Sequence, residues 1–217
     1  LPAAERDKEL ALRAAGPLAD QFSKVSEATM SRLYRAALNR FLEGQPSDSL
    51  RILGNPRHLA LPRLDEPSRA NFVELGLLQA RILTTQFRFA EAREIYQFVT
   101  AEVPESQAAW LEWAQFENMV QRPDESLQAY RQALVLARES KQPDSIATTL
   151  VGLGRLHREQ DRLDSCRQAW NEALTFRRQL AAADPQTYLP QVAATLIDLA
   201  NLDGEITASD HRTGRDA

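Results

Sequence analysis

The sequence predicts an all-α fold, a solenoid of antiparallel helix pairs, and three observations carry that prediction. First, one skeleton recurs three times. It runs Gly76, Gln79, Ala80, Leu83, then Ala92, Tyr96, Val99, Pro104; again Trp110, Trp113, Ala114, Glu117, then Ser126, Tyr130, Ala133; and again Leu150, Leu153, Gly154, His157, then Cys166, Trp170, Ala173. Second, a small residue in the first half of each copy (Ala80, Ala114, Gly154) precedes a small residue in the second half (Ala92, Ser126, Cys166) by twelve positions. Third, the copies are periodic: Ala92 to Ser126 is 34 residues, a spacing typical of stacked helical hairpins. The two helices of a hairpin touch most closely where side chains are smallest, so small residues mark the crossings and large ones fill the space above and below.

Taken in order, residues 3–15 are rich in strong helix formers and predict a short helix ended by Gly16-Pro17. A longer pattern follows over 18–42, with Phe22, Val25, Met30, Leu33, Tyr34, Ala37 and Phe41 at helical steps. Gly44, Pro46 and Ser47 form a turn, and 48–53 begin another helix. The twelve-residue interval reappears from Ala37 to Ser49, which makes 1–53 an N-terminal helical region containing a degenerate repeat. Residues 54–69 hold three prolines and break any helix period, so they read as a connecting strap laid along the helices through Leu59, Leu61 and Leu64. The orderly part of the solenoid is expected over 70–203, as three full repeats plus a half. Its helix pairs are predicted at 71–85 with 89–102, 106–119 with 123–139, and 144–159 with 162–182. That last helix is long because no breaker occurs before Asp184-Pro185, and the step from Gly154 to Ala200 is accordingly 46 residues. A fourth first-helix follows, with Leu196, Leu199, Ala200 and Asp203 in the repeat positions but no partner helix after it. Residues 204–217 have few large apolar side chains and read as a flexible tail. The missing initial Met and the unfinished last pair suggest a piece of a longer protein.

Composition excludes several classes. With 43% hydrophobic residues the chain can fill a continuous core. A net charge of -4 and a pI near 5.5 argue against a nucleic-acid groove, which needs a basic stripe. Of 26 basic residues 23 are Arg, spread evenly, a bias read as genomic rather than functional. No apolar run approaches the roughly 18 residues needed to span a membrane. One cysteine allows no intramolecular disulfide and fits a reducing, cytoplasmic location.

Individual residues follow from their slots. Trp110, Trp113, Tyr130 and Trp170 are expected to fill the core. Cys166 occupies a small-residue slot, where a buried thiol is inert. His157 is expected to be a satisfied core or interface histidine. Neither it, His58 nor His211 belongs to a set with metal-ligand spacing, and there is no phosphate loop or nucleophile elbow. No catalytic residue, metal or cofactor is therefore expected.

The skeleton resembles the tetratricopeptide repeat, whose pattern is an aromatic or Leu, then Leu-Gly, then Ala, an aromatic and Pro over 34 residues. The lengthened third repeat is similar to those of kinesin light chains and of bacterial signalling proteins. The resemblance implies a right-handed superhelical solenoid of antiparallel helix pairs whose first helices line a concave groove. The matching groove positions are Glu74, Leu77, Arg81 and Thr84; Ala108, Leu111, Gln115 and Asn118; and Thr148, Val151, Arg155 and Arg158. The carboxylate clamp known in this family is absent, since its slots hold Leu77, Arg81, Glu112, Thr148 and Gly152. The expectation is a non-enzymatic module binding a peptide or protein segment, one with apolar side chains and carboxylates matching the groove arginines. Alternatives are a regulatory or sensor arm of a multidomain signalling protein, and a homo-oligomer formed through Val192, Leu196 and Leu199 of the uncovered half repeat.

Overall fold

A computed structural model describes residues 32–54 and 66–213. The predicted helix at 3–15, most of the 18–42 pattern and the central strap residues Leu59, Leu61 and Leu64 lie outside the described residues. Those described form helices α1 (Arg32–Leu42), α2 (Pro46–Leu53), α3 (Glu66–Thr85), α4 (Phe89–Glu102), α5 (Gln107–Met119), α6 (Pro123–Glu139), α7 (Pro143–Glu159), α8 (Leu163–Ala183) and α9 (Pro185–Thr213), with no strand among them. The chain divides into two compact units, Leu1–Ala109 and Trp110–Ala217.

The three predicted pairs form within one or two residues of their expected ends, except that α3 starts at Glu66, inside the expected strap. Several starts are set by proline. Pro46, Pro123 and Pro143 sit in the first turns of α2, α6 and α7, where a missing N–H costs nothing and the locked φ suits a helix. The three-residue connectors share one geometry. Phe87, Gln121, Lys141 and Asp161 adopt φ of 59°, 60°, 52° and 58°, and Gly44 adopts 76° in the α1–α2 turn. In each case the next residue's N–H reaches back five positions to a helix carbonyl: Gln45 to Arg40, Arg88 to Leu83, Arg122 to Glu117, Gln142 to Ala137 and Arg162 to His157. This is the left-handed helix cap that glycine usually provides, built here four times without it.

The twelve-residue interval has a direct structural meaning. Ser49 Oγ donates to the Ala37 carbonyl at 2.6 Å, and Ser126 Oγ donates to the Ala114 carbonyl at 2.8 Å. Both hydroxyls are buried, and each ties the second helix of a pair to the first at their closest point.

In the first unit, Tyr34, Ala37, Leu38 and Phe41 of α1 pack with Leu78 and Ile82 of α3, while Leu33 is exposed. Gly76 lets α3 approach α4, because a Cβ there would stand 2.4 Å from Val99 Cγ2. In the second unit, Ile146, Leu150 and Val151 of α7 enclose Cys166, Ala169, Trp170 and Ala173 of α8, with Leu202 of α9 closing the cluster.

Helix α9 departs from expectation. It continues through Gly204 to Thr213, where 204–217 reads in sequence as a flexible tail. The reason is anchorage: Leu202 is fully buried, Ile206 packs on the same cluster, Asp203 pairs with Arg167 at 2.9 Å, and Glu205 pairs with Arg158.

Candidate functional site

The predicted groove residues fare differently in the two units. In the first, Leu77 is fully buried and belongs to the core, so it is no ligand contact; the α3 register turns it inward beside Leu78. Glu74, Arg81 and Thr84 are half-buried on α3, Thr84 Oγ1 donating to the Ala80 carbonyl of its own helix at 2.8 Å. Ala108 is exposed.

In the second unit five predicted residues come together. Gln115 and Asn118 of α5 and Thr148, Val151 and Arg155 of α7 line one open cavity of about 320 Å³. Leu111 packs instead against the cluster of Ala114, Tyr130 and Leu156. Val151 is largely core and contributes only its edge. Arg158 is a correction, because it does not line this cavity and is held by Glu205, with its Nε donating to Oε2 at 3.1 Å.

The cavity also contains residues outside the predicted groove set. Tyr130 of α6, Gly152 and Glu159 of α7 and Arg177 of α8 complete its lining. Gly152 is there because Tyr130 lies flat on α7, and a Cβ at 152 would meet the phenol oxygen at 2.7 Å. Burial pushes the Tyr130 hydroxyl up to about 12, with smaller opposing effects of Arg155 and Glu159, so it stays a neutral donor at ordinary pH. Arg177 is half-buried. Its Nη1 donates to the Gln191 carbonyl at 3.0 Å and to Thr195 Oγ1, both on α9. Desolvation lowers its pKa, and the nearby Arg155 lowers it further. The signal for Arg177 in sequence was the length of the second helix in the third repeat, whose extra turns carry it past the ordinary repeat positions.

Other singled-out residues sort by burial. Trp170 is core as expected, its Nε1 donating to the Val151 carbonyl at 3.1 Å. Trp110 and Trp113 are only half-buried and stack on each other with ring centroids 5.3 Å apart. Trp113 Nε1 donates to Glu117 at 3.0 Å, and Arg122 Nε lies 3.8 Å from the same buried carboxylate. That polar task explains why Trp113 is not simple filling. Cys166 is fully buried, and burial pushes its thiol up to about 11, which removes the thiolate a nucleophile needs. His157 is half-buried, but its Nδ1 has no hydrogen-bond partner among the described residues, where a satisfied histidine was expected.

Among the described residues no group of three or more His, Cys, Asp or Glu is placed to hold a metal ion, and no helix is long and apolar enough to cross a membrane. On the α9 face, Val192 is half-buried and Leu199 packs on the second-unit core, leaving only Leu196 of the expected self-association set open.

The family model described as "Tetratricopeptide repeat" matches residues 105–179. No curated protein matches the chain significantly. Solved structures do, among them the crystal structure of BtubC (BKLC) from P. vanneervenii. It has a TM-score of 0.59 at 18% identity, covering 99% of this chain and 90% of that chain. At that identity the likeness concerns the fold alone. The matched segment spans α5, α6, α7 and most of α8, the helices whose twelve-residue intervals and left-handed caps were described above. Residues 105–179 of this all-α chain are therefore tetratricopeptide repeats, a kind of module that generally mediates protein–protein interaction.

Proposed function

We propose that the chain is a non-enzymatic interaction module that holds an extended peptide segment across α5 and α7 of its second unit. The observation that carries this reading is the convergence of Gln115, Asn118, Thr148, Val151 and Arg155 on one cavity. Side-chain amides, a hydroxyl, an apolar edge and a guanidinium suit an extended peptide with mixed side chains. The lone, buried Cys166 supports a reducing compartment such as the cytoplasm. The test is peptide display on the full chain, repeated with Asn118→Arg, which fills the cavity mouth. Selected peptides should bind the variant at least about tenfold more weakly, a loss of roughly 1.4 kcal/mol. Peptides that bind both proteins equally would place the interaction elsewhere.

A second reading, self-association through α9, is favoured by the exposure of Leu189 (56%), Leu196 (42%) and Ile197 (60%) along that helix. Single apolar side chains are common on surfaces, but three on one helix make a patch worth testing. Light scattering should show a concentration-dependent dimer that Ile197→Asp abolishes; a strict monomer over the micromolar range would remove this reading.

A further inference from the structure

We infer that a second copy of this chain covers the outer face of α9. The two helices pack antiparallel about a two-fold axis between Leu196 and Ile197, with Leu189 of each copy opposite Gly204 of the other. The inference rests on the self-association reading above and deepens it.

The half repeat leaves open a face that the full repeats close. Ala80, Ala114 and Gly154 are buried at the small-residue slot of their first helices, whereas Ala200, in the same slot of α9, is exposed. The neighbouring slots agree. Leu150 and Val151 of α7 are buried, while their counterparts Leu196 and Ile197 are 42% and 60% exposed. Ala147 is fully buried and its counterpart Ala193 is exposed. Helix α9 does not fold back to cover itself. In the four helix pairs the connector reaches its left-handed residue seven positions after the small one, at Gly44, Phe87, Gln121 and Asp161. The seventh position after Ala200 is Thr207, which is still helical, and α9 runs on to Thr213. The cover for this face therefore comes from outside these residues.

The order of side chains on the face points to a copy of itself. Leu189, Ala193, Leu196, Ile197, Ala200 and Gly204 are all exposed and recur at helical steps along one side of α9. Reversing the helix about the peptide bond between Leu196 and Ile197 sets Leu189 opposite Gly204, Ala193 opposite Ala200, and Leu196 opposite Ile197. Large side chains then meet at the centre, small ones meet on either side where the helices approach, and a Leu at each end faces a position without a side chain. Nothing lies within 4 Å of where a Cβ at Gly204 would stand, so that seat is free. A two-fold interface requires one surface to complement itself, and this stripe does so at each step. Charge gives the same answer. No exposed residue of α9 from Gln186 to Asn201 is charged. Asp203 and Glu205 are paired within the chain to Arg167 and Arg158, and Asp198 is half-buried near Arg158 and Arg177. Two copies can meet here without opposing like charges, and a charged partner finds nothing on this face to read.

The test is disulfide trapping on the full chain in a glutathione redox buffer, alongside light scattering. Leu189→Cys and Gly204→Cys chains should cross-link when mixed, and neither should do so alone. In an antiparallel pair the two positions 189 stand about 22 Å apart, well beyond disulfide reach. Ile197→Cys, beside the axis, should cross-link by itself. Native Cys166 is fully buried and should give no dimer in the wild type. Ala200→Glu should weaken the dimer at least about tenfold, because it buries a charge opposite Ala193. Circular dichroism should be unchanged in each variant, since all four positions are exposed. Cross-linking of Leu189→Cys alone would mean a parallel pair and overturn the arrangement. A dimer in light scattering that neither gives the mixed cross-link nor responds to Ala200→Glu overturns it too, and leaves self-association standing. A strict monomer over the micromolar range sinks both.

Discussion

Gly154 shows how much of this protein rests on an absent side chain. A Cβ at that position would stand 2.3 Å from Trp170 Nε1, and the indole is pinned there by its bond to the Val151 carbonyl. Gly154→Ala should therefore cost about 1–3 kcal/mol through overpacking, read as a lower urea midpoint with unchanged slope. No loss of stability would mean that the indole does not sit against α7. His157 makes a pH-dependent prediction. Burial, then the positive charges of Arg162 and Arg131, lower its pKa in the folded chain, while the unfolded imidazole titrates near about 6.5. As pH falls below that value the unfolded state takes up a proton that the folded state refuses, so stability rises with pH here and is lost on acidification. The thermal midpoint should drop from pH 7.5 to pH 5 by less in His157→Gln than in the wild type; equal drops would show that His157 is not the source. At this scale sequence reading succeeded for Trp170 and Cys166, whose slots in the repeat are buried on every side. It failed for Leu77, Trp113 and Arg158, because a repeat pattern locates a position on a helix but not which neighbour a long side chain meets.

Among the elements, the connectors and α9 separate what is local from what is not. The left-handed caps at Phe87, Gln121, Lys141 and Asp161 are not announced in the sequence, because no glycine stands at any of them. The chain accepts a left-handed residue there since the cap satisfies two helix carbonyls in a connector too short for any other path. Helix α9 runs past its expected end because α7 and α8 offer it Arg158, Arg167 and an apolar seat for Leu202 and Ile206. Gly204 lies inside that helix with nothing within 4 Å of where a Cβ would stand. Gly204→Ala should thus stabilise the chain by about 0.5–1 kcal/mol and raise its helical circular dichroism. No gain would indicate that residues 204–213 are not helical in solution.

For the whole molecule, the division into two compact units has a measurable consequence. All three tryptophans, Trp110, Trp113 and Trp170, belong to the second unit, so intrinsic fluorescence reports that unit while far-ultraviolet circular dichroism reports every helix. In stacked-helix proteins each element packs mainly on its sequence neighbours, and stability is a sum of local terms. Urea transitions followed by the two signals should accordingly have different midpoints. Coincident curves would show a single cooperative unit.

The sequence by itself determined the all-α class, the pairing of helices and their boundaries from Phe89 to Ala183. Small residues twelve apart specify a crossing, and prolines specify where helices begin; both are local properties of the chain. Only the tertiary structure decided which side chains share a cavity. Arg155 and Arg177 are 22 positions apart on different helices, and Tyr130 joins them from a third. Their meeting depends on the length of α8 and its hold on α9, quantities that no repeat period encodes.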